Sequence, residues 1–337
     1  MIRLQNDDPR WAEFVATTNS LVSHHPAWMK LMTRCYGYRT FVLAIMDDGG
    51  QVTAGLPVAE VQSPVGRRRW VALPFTHLSP PLASNHVSLT KLSSELQAVT
   101  EGAGVSSLEI HGRMEGPGIH SWSAAVIHRM DLQNDSQSVF RTFDSSTRRA
   151  ISASQRRGAE VKRARTPLEL TETFYHLHLR TRRRLGIPVQ PRRYFGLLWD
   201  RIVAPGLGFL LLAYVGDTPV AGSVFLIWNR RITYAYSASD PAFGRHRPTN
   251  LILWMAVQWG CEHGFRELDL GRSDFEDEGL RNFKNGWGTK EQSLEYSIMG
   301  PPRTGSGRLG RRSRGLLRRS PVWVCRTMGE LLYKYAA

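Results

Sequence analysis

The sequence predicts an α/β (α+β) fold in which each half of the chain forms a mixed, mostly antiparallel sheet flanked by helices. Two hairpins are predicted, because strand-like runs surround an Asp-Asp-Gly-Gly turn at 47–50 and a Gly-Asp turn at 216–217. In both halves a third strand, a helix and a late strand follow the hairpin. This shared order, without sequence identity between the halves, indicates an architectural repeat.

The first half opens with a helical segment that starts at His25-Pro26 and ends at Gly37. Proline at the start of a helix and glycine at its end are the usual boundary signals. A loop rich in Pro and Ser follows at 74–84. Strands are predicted at 41–46, 51–61, 67–73, 107–112 and 124–132, and a second helix at 89–102.

The second half has longer elements of the same kinds. Gly186-Ile187-Pro188 and Gly264 each end a helical pattern. The predicted helices are 146–158, 167–185, 191–203 and 250–263, and the predicted strands are 208–215, 218–228, 231–237, 267–270 and 293–298. We therefore expect an N-terminal domain at 1–140, a catalytic domain at 141–300 and a basic linker with an amphipathic helix at 301–337.

Two interpretations of the C-terminal region stay open. The run from 301 to 320 is rich in Gly, Ser and Arg, and an amphipathic helix follows it. A basic stretch before an aromatic-rich helix suits the surface of an anionic membrane. The same pattern also fits a terminal helix that docks on the protein core.

Composition sets the broad class of protein. A chain of 337 residues exceeds the size at which single cores usually stop growing, and 42% hydrophobic residues with ten Trp exclude a mainly disordered chain. No window approaches the ~18 apolar residues of a membrane-spanning helix, and the polar, acidic start is unlike a secretory signal. Three widely spaced cysteines fit a reducing compartment and give no metal-binding spacing. We expect a cytoplasmic protein without a metal.

Positive charge is unevenly distributed along the chain. There are 44 Lys and Arg against 29 Asp and Glu, a net charge of +15. Residues 141–193 hold fourteen basic and four acidic residues, and residues 301–337 hold nine basic residues and one Glu. Such clustering favours a polyanionic partner, which can be a nucleic acid, a phosphorylated substrate or an anionic membrane.

The run RNFKNGWG at 281–288 is the strongest chemical signal. It places Lys284 between an aromatic residue and a Gly-Trp-Gly turn. Phe283 and Trp287 can shield a cation from water, and glycines allow a close approach of the backbone to a ligand. A shielded ammonium suits an anion or a developing oxyanion. The alternative is a strand end with a Lys that reaches solvent.

Several short motifs occur in a characteristic order along residues 20–300. They are Trp28, Tyr36-Gly37-Tyr38, Gly55-Leu56-Pro57, Leu73-Pro74-Phe75, Arg182-Arg183-Arg184-Leu185-Gly186-Ile187-Pro188, Pro219-Val220-Ala221-Gly222, Tyr234-Ala235-Tyr236-Ser237, Leu268-Asp269-Leu270-Gly271 and Phe283-Lys284-Asn285-Gly286-Trp287-Gly288. Together they resemble the FemABX-like (lipid II aminoacyltransferase-like) branch of the GNAT acetyltransferase superfamily. The Phe-Lys and Trp-Gly pairs are the most specific part.

The resemblance implies two tandem GNAT-like domains and an acyltransferase activity. The best-understood members move an amino acid from aminoacyl-tRNA to an amine of a peptidoglycan precursor. Others act in polysaccharide or natural-product pathways. The chain lacks the long coiled-coil insertion of some peptidoglycan members and adds a basic tail. We therefore expect tRNA rather than DNA as a partner, and an acceptor that is a small or lipid-linked amine.

The resemblance also assigns roles to single residues. Lys284 occupies the position at which the family places a Lys near the acyl donor, with Phe283 and Trp287 as substrate contacts. Tyr236 lies in the strand-like run ITYAYSAS, and its hydroxyl can bond the reacting centre or pack on the sheet. Asp269 can orient Lys284 or relay a proton, or it can form a structural ion pair.

Two basic groups are candidates for binding phosphates. Arg182 and Arg184 lie in a helical segment, where one or two side chains can reach a phosphorylated acceptor. Arg245 and Arg247 precede a helix at the place where GNAT enzymes hold the coenzyme A pyrophosphate on backbone amides. Pro248 removes one of these amides, which favours aminoacyl-tRNA over acetyl-CoA as co-substrate. The alternative stays open, because arginine side chains can also bind a pyrophosphate. No tightly bound cofactor is expected.

Overall fold

The structure, a computed structural model, describes residues 1–62, 66–301, 315 and 317–336. The described residues form two compact units. The first contains 1–125, 293–301 and 334–336, and the second contains 126–292 and 315–333. The boundaries at 125/126 and 292/293 each fall within a strand, Ile119–Asp131 and Lys290–Met299 respectively. The domain boundaries at 140 and 300 stay a prediction.

The first unit is a mostly antiparallel sheet with helices. Its strands are β1 (Ile2–Gln5), β2 (Arg39–Met46), β3 (Val52–Gln62), β4 (Arg68–Val71), β5 (Leu82–Ala83), β6 (Leu108–Ile110), the start of β7 (Ile119–Asp131) and the end of β13 (Lys290–Met299); its helices are α1 (Pro9–Thr17), α2 (Pro26–Tyr36) and α3 (His86–Gly102). The spatial order is β1-β2-β3-β4-β6-β13, in which β4 and β6 are parallel and β5 pairs with β3.

Helix α3 forms the crossover between the two parallel strands of this unit. Its buried Leu92 and Leu96 share one core cluster with Phe41, Leu56 and Trp70 from the strands. The ring of Phe41 meets that of Trp70 edge-on, with centroids 5.2 Å apart. Burial of side chains this large supplies most of the free energy that holds a helix on a sheet.

The second unit repeats this plan with longer elements. Its strands are β8 (Ala159–Arg163), β9 (Gly208–Val215), β10 (Thr218–Trp228), β11 (Arg231–Ser239) and β12 (Glu267–Ser273), with the end of β7; its helices are α4 (Ser136–Arg141), α5 (Ser145–Arg156), α6 (Tyr175–Leu185), α7 (Arg192–Leu198), α8 (Pro248–Glu262), α9 (Glu278–Asn285) and α10 (Val322–Leu332). Segments Glu169–Phe174 and Trp199–Val203 are π-helical extensions of α6 and α7. The strand order is β7-β12-β11-β10-β9-β8.

Helix α8 is apolar on nearly all sides and is buried, as such helices usually are. It carries Leu251, Ile252, Leu253 and Trp254 into the core of this unit. A Cβ at Gly260 would lie 2.7 Å from the Ile232 side chain, so only glycine lets α8 approach β11 this closely. The helix forms the crossover from β11 to β12, which are parallel.

The predicted fold class and architectural repeat are confirmed. In the first unit the order is α2, β2, β3, β4, α3, β6, and in the second it is α7, β9, β10, β11, α8, β12. Each unit holds one parallel pair joined by a helical crossover. Six elements were absent from the sequence-based prediction, namely β1, α1, β5, α4, β8 and α9.

The predicted C-terminal helix is present as α10 and docks on the second unit. Cys325 and Gly329 form its buried side, and a Cβ at Gly329 would overlap Val189 O. Glu330 Oε1 accepts a hydrogen bond of 2.8 Å from the amide of Arg192. The interpretation that the terminal helix docks on the protein therefore holds for α10. Residues 302–314 and 316 of the basic linker lie outside the described residues. No helix in the described part is long and apolar enough to cross a membrane.

Candidate active site in the second unit

The candidate site lies where two parallel strands separate. β11 and β12 pair over three positions, from Arg231 opposite Glu267 to Thr233 opposite Asp269. Beyond these pairs β11 continues along β10, and β12 continues along β7. The carboxyl ends of the two strands therefore diverge. An opening at the carboxyl ends of parallel strands is where α/β folds commonly bind ligands.

A β-bulge on β11 sends two tyrosines to opposite faces of the sheet. Phe225 pairs with Tyr234 but Val224 pairs with Tyr236, which leaves Ala235 as an extra residue. Tyr234 therefore packs against Phe225 in the core beside α8. Strict alternation would have placed both tyrosines on one face.

Tyr236 stands in an aromatic cage on the other face. Its hydroxyl lies 2.7 Å from that of Tyr194 on α7, which is fully buried. The rings of His178 and Phe195 both lie 6.0 Å from the Tyr236 ring. Burial, reinforced by the nearby Arg182 charge, lowers the pKa of His178 to about 3, so this histidine is neutral at physiological pH. A polar hydroxyl is thus held among aromatic rings and a neutral histidine.

Asp269 lies at a second bulge, on β12. The register of β12 against β7 shifts between Asp269 and Gly271, and Gly271 has φ +74°. The buried carboxylate of Asp269 accepts a hydrogen bond of 2.7 Å from the amide of Gly271. The carboxylate therefore holds the bulge at the place where the two strands part.

Lys284 comes to the site on a helix rather than on a strand end. Asp277 caps α9 by accepting a hydrogen bond from the amide of Leu280, and Lys284 is the buried residue of this short helix. Its side chain is 4% exposed. The Nζ atom donates to Gly271 O at 2.8 Å and to Arg272 O at 2.9 Å. The ammonium thus binds the carbonyls of β12 just past the point of divergence.

The electrostatics of Lys284 are those of a buried cation near three carboxylates. Burial lowers its pKa to about 8, while the charges of Asp269, Asp277 and Asp274 act in the opposite direction. An ammonium has three donors, and the two carbonyl contacts use two of them. Lys284 and Asp269 therefore form one group, coupled by charge and by the bulge.

The structure changes the role predicted for the Gly-Trp-Gly turn. Trp287 is fully buried, with its ring 5.0 Å from that of Phe143, and it belongs to the core. Cβ atoms at Gly286 and Gly288 would clash with Thr147 and Thr142. The glycines therefore allow close packing against the protein itself. Phe283, the other predicted aromatic contact, is partly buried and packs against the same core cluster, with its ring 6.4 Å from that of Trp287.

A buried histidine beside Lys284 was not anticipated. His128 on β7 donates from Nδ1 to Asn285 Oδ1 at 3.1 Å, and its Nε2 lies 3.8 Å from Glu291 Oε2. Burial is the main cause that lowers its pKa, and the Lys284 charge adds to it. The signal in the sequence was a single histidine within the predicted strand 124–132, and such a residue is more often packed than functional.

The two arginines predicted to bind the acceptor separate in the structure. Arg182 donates to Pro188 O at 2.9 Å and so fixes the end of α6. Arg184 instead lines a cavity of about 450 Å³. Its other lining residues are Leu177, Arg180, Arg183, Ser239, Asp240, Pro241 and Arg318. We name this cavity the arginine cleft.

Asp240 partly balances the charge of the arginine cleft. Arg180 Nη1 lies 3.3 Å from Asp240 Oδ2. Arg183 donates from Nε to Ser320 O at 2.6 Å, and this contact holds the chain that carries Arg318. Four guanidinium groups against one carboxylate leave a net positive cavity beside the end of β11.

Arg245 and Arg247 lie at the start of α8. Arg247 adopts φ +50° as the residue before the helix, and its carbonyl accepts the amides of Asn250 and Leu251. Pro248 has no amide to offer. Arg245 donates from Nε to His246 at 3.2 Å, and its carbonyl accepts from Arg157. The start of α8 therefore offers arginine side chains rather than a row of backbone amides.

Comparison with known proteins identifies the fold. Residues 143–285 match the model of the acetyltransferase (GNAT) domain. This match lies within the second unit, and it spans every candidate residue from Arg182 to Lys284. No curated protein sequence matches the chain significantly.

Solved structures extend the similarity to nearly the whole chain. FemX is 14% identical with a TM-score of 0.68, covering 88% of this chain and 97% of FemX. The C-terminal domain of a putative lysylphosphatidylglycerol synthetase from Agrobacterium fabrum is 12% identical with a TM-score of 0.58, covering 87% and 90% of the two chains. A tandem GNAT protein from the clavulanic acid biosynthesis pathway is 12% identical with a TM-score of 0.53, covering 90% and 99%.

These similarities show the fold of the chain and a domain within it. Residues 143–285 of the second unit match the GNAT domain, and the chain shares its fold with a tandem GNAT protein. The predicted resemblance to the GNAT superfamily is confirmed, and FemX supports the FemABX-like branch at the level of the fold.

The shifted pKa of Lys284 predicts a specific dependence of stability on pH. Its pKa is about 8 in the folded protein against an ordinary value of 10.5. Between these values the unfolded chain binds more protons, so the contribution of Lys284 to stability rises with pH. We expect the unfolding free energy of wild type, relative to Lys284→Met, to rise by roughly 2–3 kcal/mol from about pH 7 to about pH 10.

Denaturant titrations at several pH values measure this difference. Lys290→Met is the matched control, because the Lys290 side chain is exposed and pairs with Asp131. Parallel pH profiles for wild type and Lys284→Met would show that the ammonium is not buried as described.

Proposed function

We propose that the protein is an N-acyltransferase that moves an aminoacyl group from aminoacyl-tRNA to an amine of a small or lipid-linked acceptor. The observation that carries the proposal is the buried Lys284 ammonium, fixed where β11 and β12 diverge within a GNAT domain. Aminoacyl-tRNA is made in the cytoplasm, so the reaction is proposed for that compartment. The acceptor would belong to cell-wall or natural-product synthesis.

The reaction needs positioning and charge stabilisation rather than an enzyme nucleophile. The neutral amine attacks the ester carbonyl, the C–N bond forms, and the C–O bond to the tRNA ribose breaks. The amine proton passes to the departing ribose oxygen. Negative charge develops on the carbonyl oxygen, where the third donor of Lys284 or the Tyr236 hydroxyl would stabilise it. Asp269 would act as a positioning residue through the bulge and through its charge.

The start of α8 supports tRNA as the donor. In a coenzyme A site the backbone amides at this helix start bind the pyrophosphate. Here Pro248 has no amide, and the amides of Asn250 and Leu251 bind Arg247 O. Arg245 and Arg247 precede this helix, and Arg157 at the end of α5 donates to Arg245 O beside them. These arginines would contact the phosphates of the tRNA acceptor end.

The alternative is an acyl-CoA-dependent N-acetyltransferase of polysaccharide or secondary metabolism. The tandem GNAT protein of clavulanic acid synthesis shares the fold. In that case Arg245 and Arg247 would grip the pyrophosphate by their side chains.

Direct binding separates the two donors. The purified protein is titrated with acetyl-CoA and with a pool of charged tRNA at two salt concentrations. Tight tRNA binding that weakens steeply with salt, without acetyl-CoA binding, is expected. Sequencing of the bound tRNA would then identify the amino acid. Micromolar binding of acetyl-CoA with weak tRNA binding would replace the proposal by its alternative.

The arginine cleft would hold a phosphate or diphosphate group of the acceptor. Arg183, Arg184 and Arg318 line it, and Arg180 is shared with Asp240. Guanidinium groups bind phosphate oxygens with two parallel hydrogen bonds, which gives both affinity and orientation. The cleft lies beside the end of β11, the strand that carries Tyr236.

Replacement of Lys284 tests the catalytic assignment. Lys284→Met is expected to lower kcat by about 10²–10³-fold, because a fixed donor at the oxyanion is lost. The assay follows transfer from charged tRNA to acceptor in single turnovers, with circular dichroism as a check on folding. Lys290→Met should retain full activity, and unaltered turnover by Lys284→Met would remove Lys284 from the mechanism.

Replacement of an arginine in the cleft tests acceptor binding. Arg184→Ala should raise KM for a phosphorylated acceptor by about tenfold, with kcat nearly constant, because it removes a charge-assisted contact made equally in ground and transition states. Steady-state kinetics at varied acceptor concentration measure both constants. Arg193→Ala, at an exposed position on α7, is the control. A drop in kcat without a change in KM would argue against a binding role.

A further inference from the structure

Helix α10 keeps an apolar side exposed after it has docked. Trp323 is 69% exposed, Leu331 63% and Leu332 52%. Trp323, Thr327 and Leu331 are spaced four residues apart, so they follow one side of the helix. Large apolar side chains exposed together on a folded protein commonly mark an interaction site. We name Trp323 and Leu331, with the exposed Arg319 and Arg326, the α10 surface.

The charge of the α10 surface is entirely positive. Glu330 is the only acidic residue among positions 301–337. It is turned inward, where it accepts the amide of Arg192. Cys325 and Gly329 hold the opposite side of the helix against the second unit. Docking therefore leaves Trp323 and Leu331 on the side of α10 away from the second unit, with Arg319 and Arg326 exposed as well.

We propose that the α10 surface binds the face of an anionic lipid bilayer. Trp prefers the interface between headgroups and acyl chains, and aliphatic residues insert below it. Arg319 and Arg326 would lie at the level of the lipid phosphates. RNA would satisfy the arginines but would leave Trp323 and Leu331 without an apolar partner. The proposal does not depend on the transfer reaction proposed above.

Vesicle co-sedimentation of the full-length protein tests this. Vesicles of phosphatidylcholine with an equal part of phosphatidylglycerol are compared with vesicles of phosphatidylcholine alone. Wild type should bind the anionic vesicles and not the neutral ones. Trp323→Ser and Leu331→Ser should each weaken binding about tenfold, because each removes apolar surface that enters the bilayer. Arg326→Gln should weaken it about fivefold, the usual contribution of one basic residue near an anionic leaflet.

Matched controls distinguish binding through the α10 surface from nonspecific adsorption of the protein to vesicles. Leu168→Ser removes another leucine that is 65% exposed, and Lys91→Gln removes an exposed charge on α3; neither should alter binding. The replaced side chains are exposed, so melting temperatures should stay within the range of wild type.

Three results would overturn the proposal. The first is no binding of wild type to anionic vesicles, and the second is equal binding of wild type and Trp323→Ser to these vesicles. The third is weaker binding of tRNA by the same variants while vesicle binding is unchanged, which would assign the α10 surface to RNA. Transfer to a water-soluble acceptor should proceed normally in Trp323→Ser, so failure of this proposal is distinguishable from failure of the transferase assignment.

Discussion

The second unit depends on an ammonium buried against main-chain carbonyls. Lys284 joins α9 to β12 through Gly271 O and Arg272 O, at the point where β12 leaves β11. An unpaired buried charge would be costly, and the hydrogen bonds together with the surrounding carboxylates offset part of that cost. Burial is the main cause that lowers the pKa of the neighbouring His128, and the Lys284 charge adds to it. Lys284 therefore ties the position of α9 to the end of the strands where the candidate site lies.

The residues around Lys284 are packed so that this helix cannot shift. Gly286 and Gly288 lie against Thr147 and Thr142, and the amide of Asp144 binds Gly286 O. Trp287 fills the core beneath them. Such close packing resists displacement, because any added volume forces neighbouring atoms to move. A group that must meet a reacting carbonyl to within a fraction of an ångström needs this kind of support.

The sequence predicts the framework better than the site. Long segments such as α8 and the hairpin of β9 and β10 were recognisable because the pattern of apolar residues continues over many positions. Helix α9 was missed, since its eight residues include Gly279 and few apolar side chains, and a helix this short forms through tertiary contacts. The bulge at Ala235 was also invisible, because a bulge depends on how the neighbouring strand pairs.

The site residues also divide into those that the sequence predicts correctly and those that it does not. Lys284, Asp269, Tyr236 and Arg184 were identified from motifs, and the structure places each in the second unit. Arg182 and Trp287 carried equally good motif signals, but one fixes the end of α6 and the other fills the core. His128 gave almost no signal, because a buried histidine in a strand resembles any packed residue. Type and spacing reveal candidates, whereas the direction of a side chain requires the fold.

The extra residue at Ala235 has a consequence for how this protein can diversify. It separates the side chains of one strand into a set that packs in the core beside α8 and a set on the face of the candidate site. A mutation at Tyr236 can therefore leave the packing of Tyr234 against Phe225 in place, whereas mutations at the fully buried Tyr194 and Phe195 of its cage would cost stability. Over evolutionary time a lineage built on this strand can alter the candidate site with the least loss of stability at Tyr236 itself.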